Sequence, residues 1–131
     1  MKKFVTLLLC MLPISLFAQV NDGIRQAMDN YDYETVVMLI ESDCQDSLLL
    51  ITKAQALKAM NRYPEAIGVL NSLILKDSTN TKVLIDLAEC YKLTGNSRRA
   101  ANCYQKAMNL QPENKFFPVA VHTLFISLRR L

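Results

Sequence analysis

The residues that could carry out chemistry in this 131-residue chain are few and widely separated. Its one histidine, His122, could act as a general base only with a nucleophile or an acid close to it. It lies in an apolar segment without such a partner at a suitable spacing, so we expect a packed or solvated side chain. The three glycines are too few to form a phosphate-binding loop. The sequence therefore predicts no catalytic residue and no enzymatic activity.

The spacing of acidic residues and cysteines also gives little support for a metal site or a disulfide. Asp29, Asp32 and Glu34 could offer oxygens to calcium, but the EF-hand spacing is missing and a solvated turn is the better interpretation. The cysteines show no C-x-x-C pair and no zinc-like spacing with histidine: Cys10, Cys44, Cys90 and Cys103. One disulfide in an exported chain is an alternative, but we expect Cys90 and Cys103 to be small apolar residues on helix faces. We predict no bound metal and no cofactor.

The segment 1–18 has the composition of a secretory signal peptide. A basic start precedes the almost wholly apolar run 4–17, and Ala18 is a small residue at its exit. A membrane-spanning helix needs about 20 apolar residues, whereas this run is shorter and contains a proline. We therefore predict cleavage after Ala18 and export to the periplasm, the cell envelope or beyond.

The chain that remains after residues 1–18 has little to hold a membrane or a nucleic acid. A lipid anchor at Cys10 is disfavoured, because Leu9 is large where lipoprotein signals carry a small residue. Removal of the signal takes away two of 15 basic residues and none of the 12 acidic ones, which leaves a net charge of +1. This balance predicts no binding to nucleic acid and no membrane association. A content of 51% apolar residues also excludes a disordered tail.

The chain repeats itself with a period of 34 residues, so that 47–80 aligns with 81–114. The identical pairs fall mostly at small or apolar positions: Leu50 with Leu84, Ile51 with Ile85, Ala54 with Ala88, Lys58 with Lys92, Ala66 with Ala100, and Asn80 with Asn114. Within 81–114, apolar residues recur at three- and four-residue steps in two stretches, which predicts two amphipathic helices. We assign Leu93 to the first apolar stripe and Leu110 to the second.

Turn and cap residues divide each unit into a helical hairpin. Gly95 can end the first helix in a left-handed conformation, and Ser97 can cap the second helix. Pro112 ends that second helix, because its ring cannot continue it. In the unit 47–80, Pro64 suits the first turn of a helix.

The unit 81–114 resembles a tetratricopeptide repeat, a helix–turn–helix unit with large and small residues at fixed places. The matching positions are Leu84, Leu87, Ala88, Tyr91, Gly95, Ala100, Tyr104, Ala107 and Pro112. The unit 47–80 matches at Leu50, Ala54, Leu57, Tyr63, Ala66, Leu70 and Leu73, and departs at Lys53 and Ser78. The resemblance implies an all-α fold, a right-handed α-α superhelix of about two and a half to three repeats.

Two flanking segments complete the predicted organisation. Residues 19–46 resemble a degenerate first repeat, in which Val36 lies 30 residues before Ala66 instead of 34. Residues 115–131 are predicted to form an apolar helix, either a cap or the start of a truncated repeat. Three interpretations compete for this helix: dimerisation, a membrane-associating tail, or truncation of a longer array. Its length is short for a membrane span, which favours the other two.

The resemblance also implies where a partner would bind, because the first helices of successive repeats line a concave groove. The positions implied are Ile51, Thr52, Gln55, Lys58, Lys82, Ile85, Asp86, Glu89 and Lys92. Some relatives clamp a terminal carboxylate there, but Asp86 and Glu89 would repel one, so we predict no such clamp. The expected function is an exported scaffold that binds a peptide or helix of a protein partner. The alternative is a structural subunit that forms a homodimer through 115–131.

Overall fold

The computed structural model describes residues 18–41 and 43–114, together with positions 119, 122, 123, 125, 126 and 129 of the C-terminal segment. The predicted all-α fold is confirmed, and the described residues contain no strand. The helices are α1 (18–29), α2 (Tyr33–Leu39), α3 (Ser47–Ala59), α4 (Tyr63–Lys76), α5 (Thr81–Leu93) and α6 (Ser97–Leu110). Most of the predicted signal peptide, including Cys10, lies outside the described residues.

Four of these helices begin at a polar side chain that accepts a hydrogen bond from the first turn. The capping residues are Asp32 for α2, Asp46 for α3, Asn80 for α5 and Asn96 for α6. The prediction that Ser97 caps α6 is wrong: the side chain of Asn96 accepts from the N–H of Arg99, and Ser97 is already helical. Helix α4 has Pro64 in its first turn, where a missing N–H leaves no bond unmade.

Each helical hairpin turns at one residue with a positive φ. That residue is Tyr31 between α1 and α2, Asn61 between α3 and α4, and Gly95 between α5 and α6, with φ of 58°, 60° and 80°. The left-handed end predicted at Gly95 is confirmed, and glycine adopts it without steric cost. Tyr31 is the exception, because a large side chain is rarely found in this region.

The helices pack in chain order, from α2 on α3 to α5 on α6. One core cluster runs through α3, α4, α5 and α6, and Leu57, Leu70 and Leu84 are its largest fully buried side chains. Small residues in the same cluster are at most 1% exposed: Ala54, Ala66, Ala88 and Ala100. These alanines let the helix backbones approach closely, as the repeat pattern predicts.

A second, smaller core cluster holds α1 and α2 on α3. Its buried members are Ile24, Ala27, Val36, Ile40 and Ala56. Two lysines stabilise the short connection from α2 to α3 by donating to its carbonyls. Lys53 Nζ lies 3.0 Å from the oxygen of Ile40, and Lys76 Nζ lies 3.1 Å from that of Gln45. Lys53, a departure from the repeat pattern, is therefore a structural residue of this connection.

Two residues assigned to the buried stripes do not reach the core. Leu93 is 56% exposed and Leu110 is 43% exposed, so their assignment was wrong. Each is the final residue of its helix, beyond the last turn that packs.

The C-terminal segment is helical at the positions the structure describes, and these side chains are exposed. They include the apolar residues Val119, Phe125 and Ile126. No helix within the described residues is long and apolar enough to cross a membrane.

Candidate binding groove on helices α3 and α5

The predicted groove residues lie on the first helices of two successive hairpins. Helix α3 carries Ile51, Thr52, Gln55 and Lys58, and α5 carries Lys82, Ile85, Asp86, Glu89 and Lys92. Lys82 and Lys92 are exposed, and the other seven residues are half-buried. The structure thus places all nine residues on these two helices, and their role in binding stays a prediction.

The centre of this groove is an ion cluster that joins the two helices. Lys58 Nζ donates to Asp86 Oδ1 and to Glu89 Oε2, and both distances are 2.8 Å. The side chains of Lys58 and Asp86 are 20% and 16% exposed, whereas that of Glu89 is 41% exposed. The cluster is therefore partly shielded from water at Asp86 and open to solvent at Glu89.

Helix periodicity explains the geometry of the ion cluster. Asp86 and Glu89 are three residues apart on α5, so both side chains project from one face. Side chains of a helix lean towards its N-terminus, so the long side chain of Lys58 reaches back along the groove. Its partners, Asp86 and Glu89, come 28 and 31 residues after it in the chain. Both precede Lys92, the residue equivalent to Lys58 in the next repeat.

The two carboxylates hold Lys58 in its charged form. Burial alone disfavours the ammonium and is the largest single influence on its pKa. The hydrogen bonds to Asp86 and Glu89, together with their negative charges, outweigh burial and place the pKa of Lys58 well above its ordinary value. One ammonium against two carboxylates gives the cluster a formal charge of −1.

Two core residues near the ion cluster are kept neutral by their surroundings. Burial raises the pKa of the Cys90 thiol; the charge of Lys58 opposes this, and those of Asp86 and Glu89 add to it. Burial also raises the pKa of Tyr104, and Glu89 adds to that effect. The Cys90 thiol therefore lacks the thiolate character that a nucleophile needs at neutral pH. Its burial agrees with the predicted role as a small apolar residue.

Apolar and neutral side chains flank the ion cluster. Ile51 and Ile85 pack against the main core while remaining half-buried. Thr52 uses its hydroxyl within α3, where it donates to the carbonyl of Leu48 over 3.0 Å. Gln55 is half-buried one turn before Lys58. The groove thus offers apolar contact beside a charged centre.

The exposed lysines stand at the two ends of α5. Neither Lys82 nor Lys92 forms an ion pair with another residue that the structure describes. Lys92 is the equivalent of Lys58 in the next repeat. The sequence positions 28 and 31 residues after it are Ala120 and Thr123, which carry no carboxylate. The sequence therefore does not repeat the ion cluster at this spacing after Lys92.

The acidic residues near the first turn have structural partners. Asp32 caps α2 and also accepts from the Thr35 hydroxyl over 2.7 Å, and Glu34 lies 3.3 Å from Arg62. Within the described residues, no group of three or more His, Cys, Asp or Glu is placed to hold a metal ion.

The position of His122 gives no support to a catalytic role. It is exposed, and it lines an open hollow of about 490 Å³ with Phe125, Ile126 and Arg129. None of these three neighbours is an acid or a nucleophile that could complete a catalytic pair.

The pairing of Lys58 with Asp86 and Glu89 was missed by the sequence analysis. The repeat alignment pairs Lys58 with Lys92, another lysine, and therefore does not indicate an ion pair. The carboxylates of Asp86 and Glu89 lie one to two turns earlier on α5. The useful signal was the backward lean of helical side chains, combined with opposite charges on the same face of successive first helices.

Comparison with known families agrees with this architecture. The family described as Psidin, N-terminal TPR repeats region, matches residues 26–131. A curated relative is the DnaJ homolog subfamily C member 7 homolog of Dictyostelium discoideum, which is 34% identical over 86 residues. The match covers 64% of this chain and 16% of the relative, so the chain spans a small part of that protein.

Solved structures share the fold over most of their length. The type III secretion translocator chaperone SycD of Yersinia enterocolitica has a TM-score of 0.77 and 18% identity, over 92% of this chain and 93% of that one. The same chaperone in complex with a peptide of the translocator YopD has a TM-score of 0.69 and 21% identity, over 89% of this chain and 96% of that one. At these identities the likeness concerns the fold.

Proposed function

Since the chain belongs to the tetratricopeptide repeat family, we propose that it is an exported scaffold that binds a peptide or a helix of a partner protein. The binding site is the groove on α3 and α5, and the function is non-catalytic. The observation that carries the proposal is the partial exposure of this groove. Seven of its nine side chains are half-buried, and Lys82 and Lys92 are exposed, so none is sealed in the core.

The mechanism follows from the rigidity of the groove. The core residues beneath it, including Leu57, Leu84 and Ala88, are at most 2% exposed, so the two groove helices hold a fixed spacing. A preformed groove loses little conformational entropy when a partner segment is seated in it. The complex of SycD with a YopD peptide supports peptide binding by a protein of this fold.

Export is the second part of the proposal. It is supported by the basic start and the apolar run 4–17 that precede Ala18. Expression in a bacterial host should yield a protein in the envelope fraction that begins at Gln19, as measured by intact mass. Recovery of the unprocessed chain in the cytosol would contradict export without affecting the groove.

Photo-crosslinking in the envelope tests the groove. Gln55 is replaced by p-benzoylphenylalanine in one variant, and the exposed Asn102 on α6 is replaced in a matched control. We expect one defined protein to be crosslinked from position 55 and not from position 102. Adding Glu89→Ala should weaken that crosslink. Equal crosslinking from both positions would overturn the assignment of the site.

Self-association is a second candidate function, favoured by one observation. Val119 and Phe125 in the C-terminal segment are 68% and 62% exposed, so these apolar side chains are accessible to a second copy of the chain. If a second copy covers them, light scattering will show a concentration-dependent dimer that Phe125→Glu abolishes. A monomer at every concentration would exclude this function and leave the groove unaffected.

A further inference from the structure

We infer that the centre of the groove selects a partner segment that carries a lysine or arginine side chain, and rejects a segment that presents a carboxylate. This inference rests on the proposed function, because it names the chemistry of the partner that the groove binds. It is carried by the hydrogen bonds and the charge balance of the ion cluster formed by Lys58, Asp86 and Glu89.

The ammonium of Lys58 has little left to offer a carboxylate. Two of its three N–H groups are already directed at Asp86 and Glu89, each at 2.8 Å. An incoming carboxylate could use only the remaining N–H, and there it would meet the two like charges of Asp86 and Glu89. A partner with an acidic side chain or a free C-terminus at this position is therefore disfavoured.

The two carboxylates retain acceptor capacity that a cation can use. Asp86 uses Oδ1 for Lys58 and Glu89 uses Oε2, so one oxygen of each accepts no hydrogen bond from the described residues. The side chain of Glu89 is 41% exposed, which leaves it within reach of a partner. A lysine or arginine from the partner would neutralise the formal charge of −1 on the cluster.

The residues around the ion cluster indicate which other side chains the partner segment should carry. Ile51 and Ile85 are half-buried beside it and can receive apolar side chains. Lys82 precedes Asp86 by about 6 Å along the helix axis, and Lys92 lies beyond Glu89. Both are exposed, so water and salt screen their charges. The groove thus fits a segment with one central basic residue and apolar neighbours.

Three synthetic peptides test this selection. They are acetylated, amidated nine-residue chains of alternating alanine and leucine, identical except for a central lysine, glutamine or glutamate. Fluorescence anisotropy measures their binding to the purified chain at low and at physiological salt. We expect the lysine peptide to bind about fivefold more tightly than the glutamate peptide, the most that an exposed ion pair usually gives. The difference should shrink as salt rises.

Two variants of the ion cluster should shift the preference in opposite directions. Asp86→Asn with Glu89→Gln keeps the shape, removes both negative charges and frees Lys58, so the glutamate peptide should then bind best. Lys58→Met leaves both carboxylates without their partner, so the preference for lysine should increase. Glu41→Gln, an exposed change in the connection between α2 and α3, is the matched control and should leave the preference unchanged. Circular dichroism serves as the check that each variant is folded.

Equal binding of the three peptides to the wild-type chain, or no binding of any, overturns the inference. An unchanged preference in both variants overturns it as well. The proposed function is tested separately, since a partner crosslinked from position 55 would stand even if the groove showed no charge preference.

Discussion

Among the groove residues, we expect replacement of Lys58 to lower the stability of the protein most. Replacing it with methionine leaves Asp86, which is 16% exposed, beside Glu89 without a counter-charge. We expect Lys58→Met to lower the free energy of unfolding by about 1–2 kcal/mol, less than for a fully buried pair because the cluster is partly solvated. Urea unfolding measures the change. Lys82→Met, which removes an exposed lysine, is the control and should cost under about 0.5 kcal/mol.

The contribution of Lys58 should also depend on pH in a defined direction. Its pKa is raised in the folded protein, so its stabilisation is fully present below the pKa of an unfolded lysine, about 10.4. It is lost as the pH rises through the higher pKa of the folded state. The stability difference between wild type and Lys58→Met should be constant from about pH 7 to 9 and should shrink near pH 11. A difference that shrinks already between pH 7 and 9 would contradict this.

Two glycines should respond to alanine in opposite ways. Gly95 has a φ of 80°, which an alanine side chain disfavours, so Gly95→Ala should destabilise the protein by about 1 kcal/mol. Gly68 lies inside α4 with open space where a Cβ would stand. Gly68→Ala should therefore stabilise the protein by about 0.5–1 kcal/mol. Thermal unfolding compares the two, and equal shifts would refute the conformational argument.

Among the helices, the first hairpin should open most readily. Helix α2 has seven residues and follows the strained turn at Tyr31, and only a small core cluster holds α1 and α2 on α3. We expect amide hydrogens of α1 and α2 to exchange faster than those of α4 and α5. Hydrogen exchange followed by mass spectrometry measures this order. Uniform protection across all helices would show that the array unfolds as one unit.

The helical elements could be predicted because their sequence signals are local. The apolar stripes and Gly95 act within a few turns of the chain, the 34-residue period repeats these local signals, and the structure confirms an all-α repeat fold. The errors lie at helix ends. Asn96 and Ser97 are both good caps, and only the backbone conformation decides between them. Leu93 and Leu110 continue the apolar period, but each lies past the last packed turn.

At the scale of the whole molecule, the repeat pattern predicts that the first helices lie side by side, and the binding role of their shared face stays a prediction. The spacing of apolar residues alone does not predict the charge pairing on that face. The partners of Lys58 depend on the offset between two helices and on the direction in which a long side chain leans. Neither quantity is encoded in the spacing of apolar residues, because it arises only when two repeats are stacked.

Helix α3 connects the two core clusters, which makes it the central element of the chain. Ala56 is buried in the small cluster with α1 and α2, and Leu57 is buried in the main cluster. The same helix carries Lys58 to the groove. A partner segment bound in the groove would therefore contact α3, the helix that belongs to both core clusters.

The different surroundings of the lysines should also give them different reactivity towards an amine-modifying reagent. Lys58 is held as an ammonium by two carboxylates, and an ammonium is not a nucleophile. Lys82 and Lys92 stand in solvent and should be acetylated first by a limiting amount of anhydride. Peptide mass spectrometry would then rank the amines across the folded chain. A bound partner segment that covers α5 should protect Lys82 or Lys92 from acetylation, and the protected lysine would show where the segment lies.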